Sequence, residues 1–225
     1  MSDTQDWFFP EAMRPDRAAL GFDLKPVLDA VLQIRVEVPD DAFTAETLGT
    51  ERGGNAVLIE PGLALTIGYL ITEATTVWLT SRSGVVVPAY PLAYDQATGF
   101  GLVRALAPLA MAPIKRGCSA ELARDDSVLV LSHGGWPHAL SARIADKREF
   151  AGYWEYLIED ALVTHPAHPE WSGAALINQR GELVGVGSLL TQQLSENEPE
   201  QGNLFVPIDL LEPILQNLIL TGASG

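Results

Sequence analysis

The feature that most constrains this chain is a series of short apolar runs, each cut off by turn residues before it reaches helix length. Leu32, Ile34, Val36 and Val38 alternate with Gln33, Arg35 and Glu37. That period of two sets one face of a strand against a core and the other in solvent. Pro39-Asp40-Asp41 ends the run, and Ala56–Ile59, Leu63–Thr66, Thr76–Thr80, Val85–Ala89 and Gly101–Leu106 follow. A second set comprises Ser127–Leu131, Ala139–Ile144, Tyr153–Glu159, Ala174–Ile177, Leu183–Ser188 and Asn203–Val206. Ser81–Gly84 and Asn178–Gly181 have the residues of tight turns. Residues 107–117, with Pro108 and Pro113, read as a crossing between the sets, and Ser195–Gly202 as a solvated acidic loop. Only the end of the chain changes period: Ile208, Leu211, Leu215 and Leu218 follow helical spacing after Pro207. The expectation is an all-β chain of two six-stranded antiparallel barrels and a C-terminal helix. Residues 1–27 form an N-terminal arm whose Trp7-Phe8-Phe9 cluster packs on the body, 28–112 the first barrel, and 113–225 the second barrel with the helix.

Composition narrows the function. Hydrophobic residues make up 47% of the 225 positions, enough for a packed core. Lys+Arg number 14 against 29 Asp+Glu, a net charge of −15. Such a field repels phosphates, so nucleic acid and anionic membranes are not the expected partners. Cys118 is the single cysteine, which excludes an intrachain disulfide and a cysteine-built zinc site. Arg52-Gly-Gly-Asn55 lacks the Lys and Ser/Thr of a phosphate loop, and no cofactor is expected. The first residues lack the basic-then-apolar order of a leader, and no apolar stretch approaches the roughly 18 residues of a membrane span. The expected location is the cytoplasm.

The strongest local motif is the stretch Ser172–Gly187, SGAALINQRGELVGVG. A serine at a tight turn, a short apolar strand, a glycine turn and a second strand resemble the end of trypsin-like serine proteases, in particular the HtrA branch. Gly54-Asn-Ala-Val-Leu-Ile59 with Leu63-Ala-Leu-Thr66, Val128–Gly135 and Asn203-Leu-Phe-Val-Pro-Ile208 are similar to further segments of that family. The resemblance covers residues 30 to 220, and no PDZ domain is expected after the helix. It implies the two-barrel chymotrypsin/trypsin-like fold with its site in the cleft between the barrels.

The resemblance also implies a serine nucleophile, a histidine base, an orienting aspartate and an oxyanion hole. Ser172 matches by type. Tyr69 falls in the histidine slot of Leu65-Thr-Ile-Gly-Tyr69, and residues 1–132 contain no histidine. Gly99 falls in the aspartate slot, with Asp95 four residues early. The oxyanion region reads Glu170-Trp171 before the serine and Gly173-Ala174 after it. A glycine two residues before the nucleophile permits the required backbone geometry, which Glu170 makes costly while adding a negative charge.

These departures predict a catalytically inactive trypsin/HtrA-like protein that binds a protein or an extended peptide. One alternative is an active serine hydrolase whose base is His165, His168 or Tyr69. Another is a metal site built on His165 and His168, with Glu170 or Asp160 as third ligand. His133 and His138, which flank Gly134-Gly-Trp-Pro137, are expected to serve the loop only, and Trp136 and Trp171 to pack in loops or core. The oligomeric state is left open.

Overall fold

The computed structural model describes residues 7–152, 157–192 and 200–222. The expected all-β architecture is present. Strands β1 (Val31–Glu37), β2 (Glu51–Glu60), β3 (Leu63–Ile67), β4 (Thr76–Thr80), β5 (Val86–Tyr94) and β6 (Phe100–Ala105) close into one barrel, in the order β1-β2-β3-β6-β5-β4. Strands β7 (Ser127–Leu131), β8 (Ala139–Ala151), β9 (Leu157–His165), β10 (Ala175–Ile177), β11 (Leu183–Thr191) and β12 (Gly202–Pro207) close into the other, in the order β10-β11-β12-β9-β8-β7. All pairings between neighbouring strands are antiparallel, and closure leaves no free sheet edge. Among the described residues four α-helices accompany them, beside three short 3-10 turns: α1 (Leu24–Asp29), α2 (Ala45–Leu48), the single turn α3 (Gly68–Ile71) and α4 (Glu212–Thr221).

Alternation decides which side chains fill the barrels. Along β1, Leu32, Ile34 and Val36 are fully buried while Arg35 and Glu37 are exposed. β3 lies where the barrels meet and is buried at all five positions, which is why its sequence shows no alternation. Each fully buried Leu, Ile or Val contributes roughly 1.5–3 kcal/mol through loss of apolar surface from water.

The arm is more ordered than its sequence suggests. Asp23 accepts the Lys25 N–H and starts α1, which buries Leu24, Val27 and Leu28 against the first barrel. Trp7 and Phe9 pack on the second barrel, and the Phe9 N–H donates to the Pro137 carbonyl at 3.0 Å. Phe8, expected to pack with them, is instead 63% exposed. Met1–Asp6, the first half of the expected strand Tyr153–Glu159, and most of the acidic loop Ser195–Gly202 lie outside the described residues. Among the described residues no helix is long and apolar enough to cross a membrane.

Candidate functional site

The two barrels bring Tyr69 and Ser172 together. β3 ends at Ile67, and α3 turns the next residues so that Tyr69 faces the second barrel. The turn is tight: the Gly68 N–H donates to the Gly99 carbonyl at 2.6 Å, and a Cβ on Gly68 would lie 2.1 Å from the Tyr94 ring. Ser172 stands in the turn that leads into β10. Its neighbour Gly173 has φ +70°, and a Cβ there would lie 2.0 Å from the Asn55 carbonyl oxygen, so only glycine fits. The glycine of the motif is therefore a packing requirement independent of chemistry.

Tyr69 Oη lies 2.7 Å from Ser172 Oγ and donates to the Ser188 carbonyl at 2.9 Å. A carbonyl only accepts, so the phenolic hydrogen is committed to Ser188 and the Ser172 hydroxyl donates to Tyr69. Gly99 forms the β5–β6 turn with φ +78° and offers no side chain toward Tyr69. Asp95 is buried, and its Oδ2 accepts the Thr98 N–H at 2.7 Å and the Thr98 hydroxyl at 2.5 Å, closing its own turn.

Asn55, on β2, holds the serine turn from beneath. Its N–H and Nδ2 donate to the Ser172 carbonyl at 2.8 and 3.0 Å, and Nδ2 also donates to the Glu170 carbonyl at 2.9 Å. Its Oδ1 accepts both the His133 N–H at 2.8 Å and His133 Nδ1 at 2.9 Å, which fixes the His133 proton on Nδ1. Burial lowers the His133 pKa.

The backbone before the serine follows a course of its own. Glu170 is not among the non-glycine residues with positive φ, and its N–H donates to His168 Nδ1 at 2.9 Å. His168 is fully buried, and its Nε2 donates to the His138 carbonyl at 2.8 Å. The ring is thus the neutral Nε2–H tautomer, and burial pulls its pKa down to about 4. The Glu170 carboxylate faces other side chains: Oε1 accepts Trp7 Nε1 at 3.2 Å, and Oε2 accepts Ser132 Oγ at 2.7 Å and His138 Nδ1 at 3.3 Å. Burial works to raise its pKa, but the Ser132 hydroxyl, His133 and His138 overcome this and hold it below the usual range. Trp171 is half-buried, and its carbonyl accepts the Ala174 N–H at 2.9 Å.

Several expectations change. His168 spends both ring nitrogens on backbone partners, so it has none left for a metal ion or for the Ser172 proton. His165 faces elsewhere, with Nδ1 3.1 Å from the Gln201 carbonyl and Nε2 3.5 Å from the Glu200 carboxylate. Asp160 is exposed on β9. Among the described residues, no cluster of three or more His, Cys, Asp or Glu side chains is arranged to hold a metal. His133 and His138 are more than loop residues, since they bond to Asn55 and Glu170. Asn55 was visible only as one letter of a motif similar to that of the proteases. Nothing in the local sequence links it to Ser172, 117 residues away.

Two closed barrels, a serine turn on the second and a facing residue after β3 of the first define a protein of the trypsin-like peptidase class. The chain belongs to the trypsin-like peptidase domain family, whose profile matches residues 54–186. It is 27% identical to the serine protease PepD of Mycobacterium tuberculosis over 87% of this chain and 48% of that protein. It is 23% identical to the serine endoprotease DegS of Haemophilus influenzae over 76% of this chain and 51% of that one. The chain thus spans about half the length of these relatives. Among solved structures, the HtrA-type protease AlgW with a tripeptide superposes with a TM-score of 0.71 at 18% identity, over 88% of this chain and 63% of that one. AlgW with a decapeptide gives 0.68 at 18% identity, over 89% and 67%. These likenesses show that the chain shares its two-barrel fold with the HtrA-type protease AlgW.

Proposed function

We propose that this protein is a catalytically inactive member of the family that retains the cleft as a binding site for an extended peptide or protein segment. The observation that carries the reading is the Tyr69–Ser172 contact. A serine hydroxyl becomes a useful nucleophile when a neighbouring base accepts its proton. Tyr69 fills that place with a phenol, ordinarily protonated up to a pKa of about 10, whose own hydrogen goes to the Ser188 carbonyl. Gly99 leaves no carboxylate to orient a base. The Glu170 N–H, which would stabilise a developing oxyanion, is held by His168. Loss of the triad leaves on the order of 10³–10⁴-fold acceleration over water in proteases whose oxyanion hole survives; the hydrogen bond to His168 removes part of that remainder.

The reading of a peptide partner rests on the fold, whose cleft suits a strand-like segment, and on the AlgW structures solved with a tripeptide and a decapeptide. The test is intact-mass detection of fluorophosphonate labelling on the wild type and on Ser172→Ala. The expected result is no adduct on either folded protein beside a labelled active protease. Stoichiometric labelling lost in Ser172→Ala would overturn the inactive reading and turn attention to His133, the histidine that Asn55 holds close to the serine turn.

A further inference from the structure

Away from the cleft, the outer face of the first barrel carries an apolar strip. Along β5, Val87 and Ala89 point inward and are buried, while Val86, Pro88 and Tyr90 point outward and are exposed. On one side the register puts Trp78 of β4 opposite Pro88. Trp78 stands between the buried Val77 and Leu79, so alternation turns its ring to the same outer face, where it is half-buried. On the other side Tyr90 lies opposite Arg104 of β6. Leu106, 63% exposed, continues that strand and donates its N–H to the Pro88 carbonyl at 2.8 Å. The outward face of an antiparallel sheet is ordinarily polar. A contiguous apolar patch left there marks an interaction surface.

Two cations flank the strip. Arg35 of β1 lies opposite Trp78, and Arg104 lies opposite Tyr90. Neither guanidinium has an ion pair or hydrogen bond among the described residues, and Arg35 makes none with Glu37, two residues along on the same side of β1. In a chain with 29 acidic residues against 14 basic ones, two unpaired arginines beside one apolar strip are complementary to a partner's carboxylates. Shape selects the class of partner. The barrel is closed, so this face has no free edge to take an added strand, and a partner docks on it through side chains. Val86 to Tyr90 spans about 14 Å along the strand, the length of about nine residues of α-helix. β1 and β6 are three strand spacings apart through β4 and β5, about 14 Å. A helix with its side chains is about 10–12 Å wide, so one lying along β5 has Arg35 at one margin and Arg104 at the other.

We propose that this face binds an amphipathic α-helix of a partner protein, its apolar stripe along β5 and Asp or Glu on both flanks facing Arg35 and Arg104. The net charge of −15 opposes docking of the same face on an anionic membrane. The surface lies on the outside of the first barrel, so the proposal is independent of the cleft and of whether Ser172 is reactive.

A displayed library of helical peptides of about 14 residues tests it. The apolar stripe at i, i+3, i+4 and i+7 is fixed as Leu or Phe, and the flanking positions are randomised among Glu, Ser and Lys. Selection on the full chain is expected to enrich Glu on both flanks. The enriched peptides should bind the double variants Tyr90→Ser/Leu106→Ser and Arg35→Glu/Arg104→Glu about tenfold or more weakly, with circular dichroism unchanged, and bind Ser172→Ala as they bind the wild type. Replacing Glu by Lys in a selected peptide should restore binding to Arg35→Glu/Arg104→Glu, a rescue that a damaged fold would not give. No enrichment, enrichment of Ser or Lys flanks, or equal binding to the variants would overturn the proposal. So would self-association in sedimentation velocity that Tyr90→Ser/Leu106→Ser abolishes, which would make a second copy the occupant. Binding to phosphatidylserine vesicles lost in the same variant would overturn it in favour of a membrane.

Discussion

Tyr69 Oη and Ser172 Oγ are 2.7 Å apart across the seam between the barrels, joining residues 103 positions apart in the chain. Because Tyr69 donates its hydroxyl hydrogen bond to the Ser188 carbonyl, the pair forms a chain of hydroxyls ending on backbone, a structural tie between barrels. Tyr69→Phe removes both bonds, to the Ser188 carbonyl and to the Ser172 hydroxyl. The expected loss is about 1–3 kcal/mol, read from urea denaturation midpoints at unchanged slope, with fluorophosphonate labelling still nil.

Asn55 supports the serine turn, Glu170 and His133 at once, and it is fully buried. Asn55→Ala takes the Asn55 side chain from the Glu170 carbonyl, the His133 N–H and the His133 ring, while the Ser172 carbonyl keeps the backbone N–H of residue 55, so a loss of about 2–4 kcal/mol is expected. Thermal unfolding of the variant beside His133→Ala, which removes only the ring contact and should cost less, checks the assignment.

Gly173→Ala tests the packing role of the second motif residue. Its φ of +70° and the 2.0 Å approach to the Asn55 carbonyl force either backbone strain or separation of the barrels at this point. The expected destabilisation is at least about 2 kcal/mol, whether or not Ser172 is present. A Ser172→Ala background that absorbed the loss would contradict the packing account.

His168 makes stability depend on pH with a defined sign. Its pKa is about 4 in the folded protein against an ordinary 6.5, so between these values the unfolded chain binds the extra proton. Stability is full above about 6.5 and falls as pH drops toward about 4, by roughly 3 kcal/mol for this residue. Protonation also places an N–H on Nδ1 against the Glu170 N–H, so that bond must open. Urea midpoints from pH 8 to pH 4 should fall more steeply for the wild type than for His168→Gln. Equal slopes would assign the pH dependence to the Glu170 carboxylate, which shifts stability in the same direction.

The fold was legible in the sequence because strand period and turn chemistry are local. Leu32–Val38 shows its alternation within seven letters, and Asn178–Gly181 shows its turn in four. Strand ends were less legible: β8 runs on to Ala151, beyond the expected Ile144, because pairing with β9 carries its polar residues. α1 was missed, being six residues long with Pro26 inside it, and it is fixed by the Asp23 cap and by packing.

The sequence by itself determined that the first barrel supplies no imidazole, since no histidine precedes His133, and it carries the proposed alignment of Tyr69 and Gly99 with a protease's base and orienting acid. Those are statements about residue type at positions set by neighbouring strands. Only the tertiary structure decided where the histidines went. His133, His138 and His168 come from two loops and converge on Asn55 and Glu170, contacts that join residues 2 to 78 positions apart. Barrel closure, which buries β3 and β10, fixes these loops against each other. Buried polar groups then have to find partners there because water is absent. That requirement turned His168 into a cap for the Glu170 N–H and Tyr69 into the partner of Ser172.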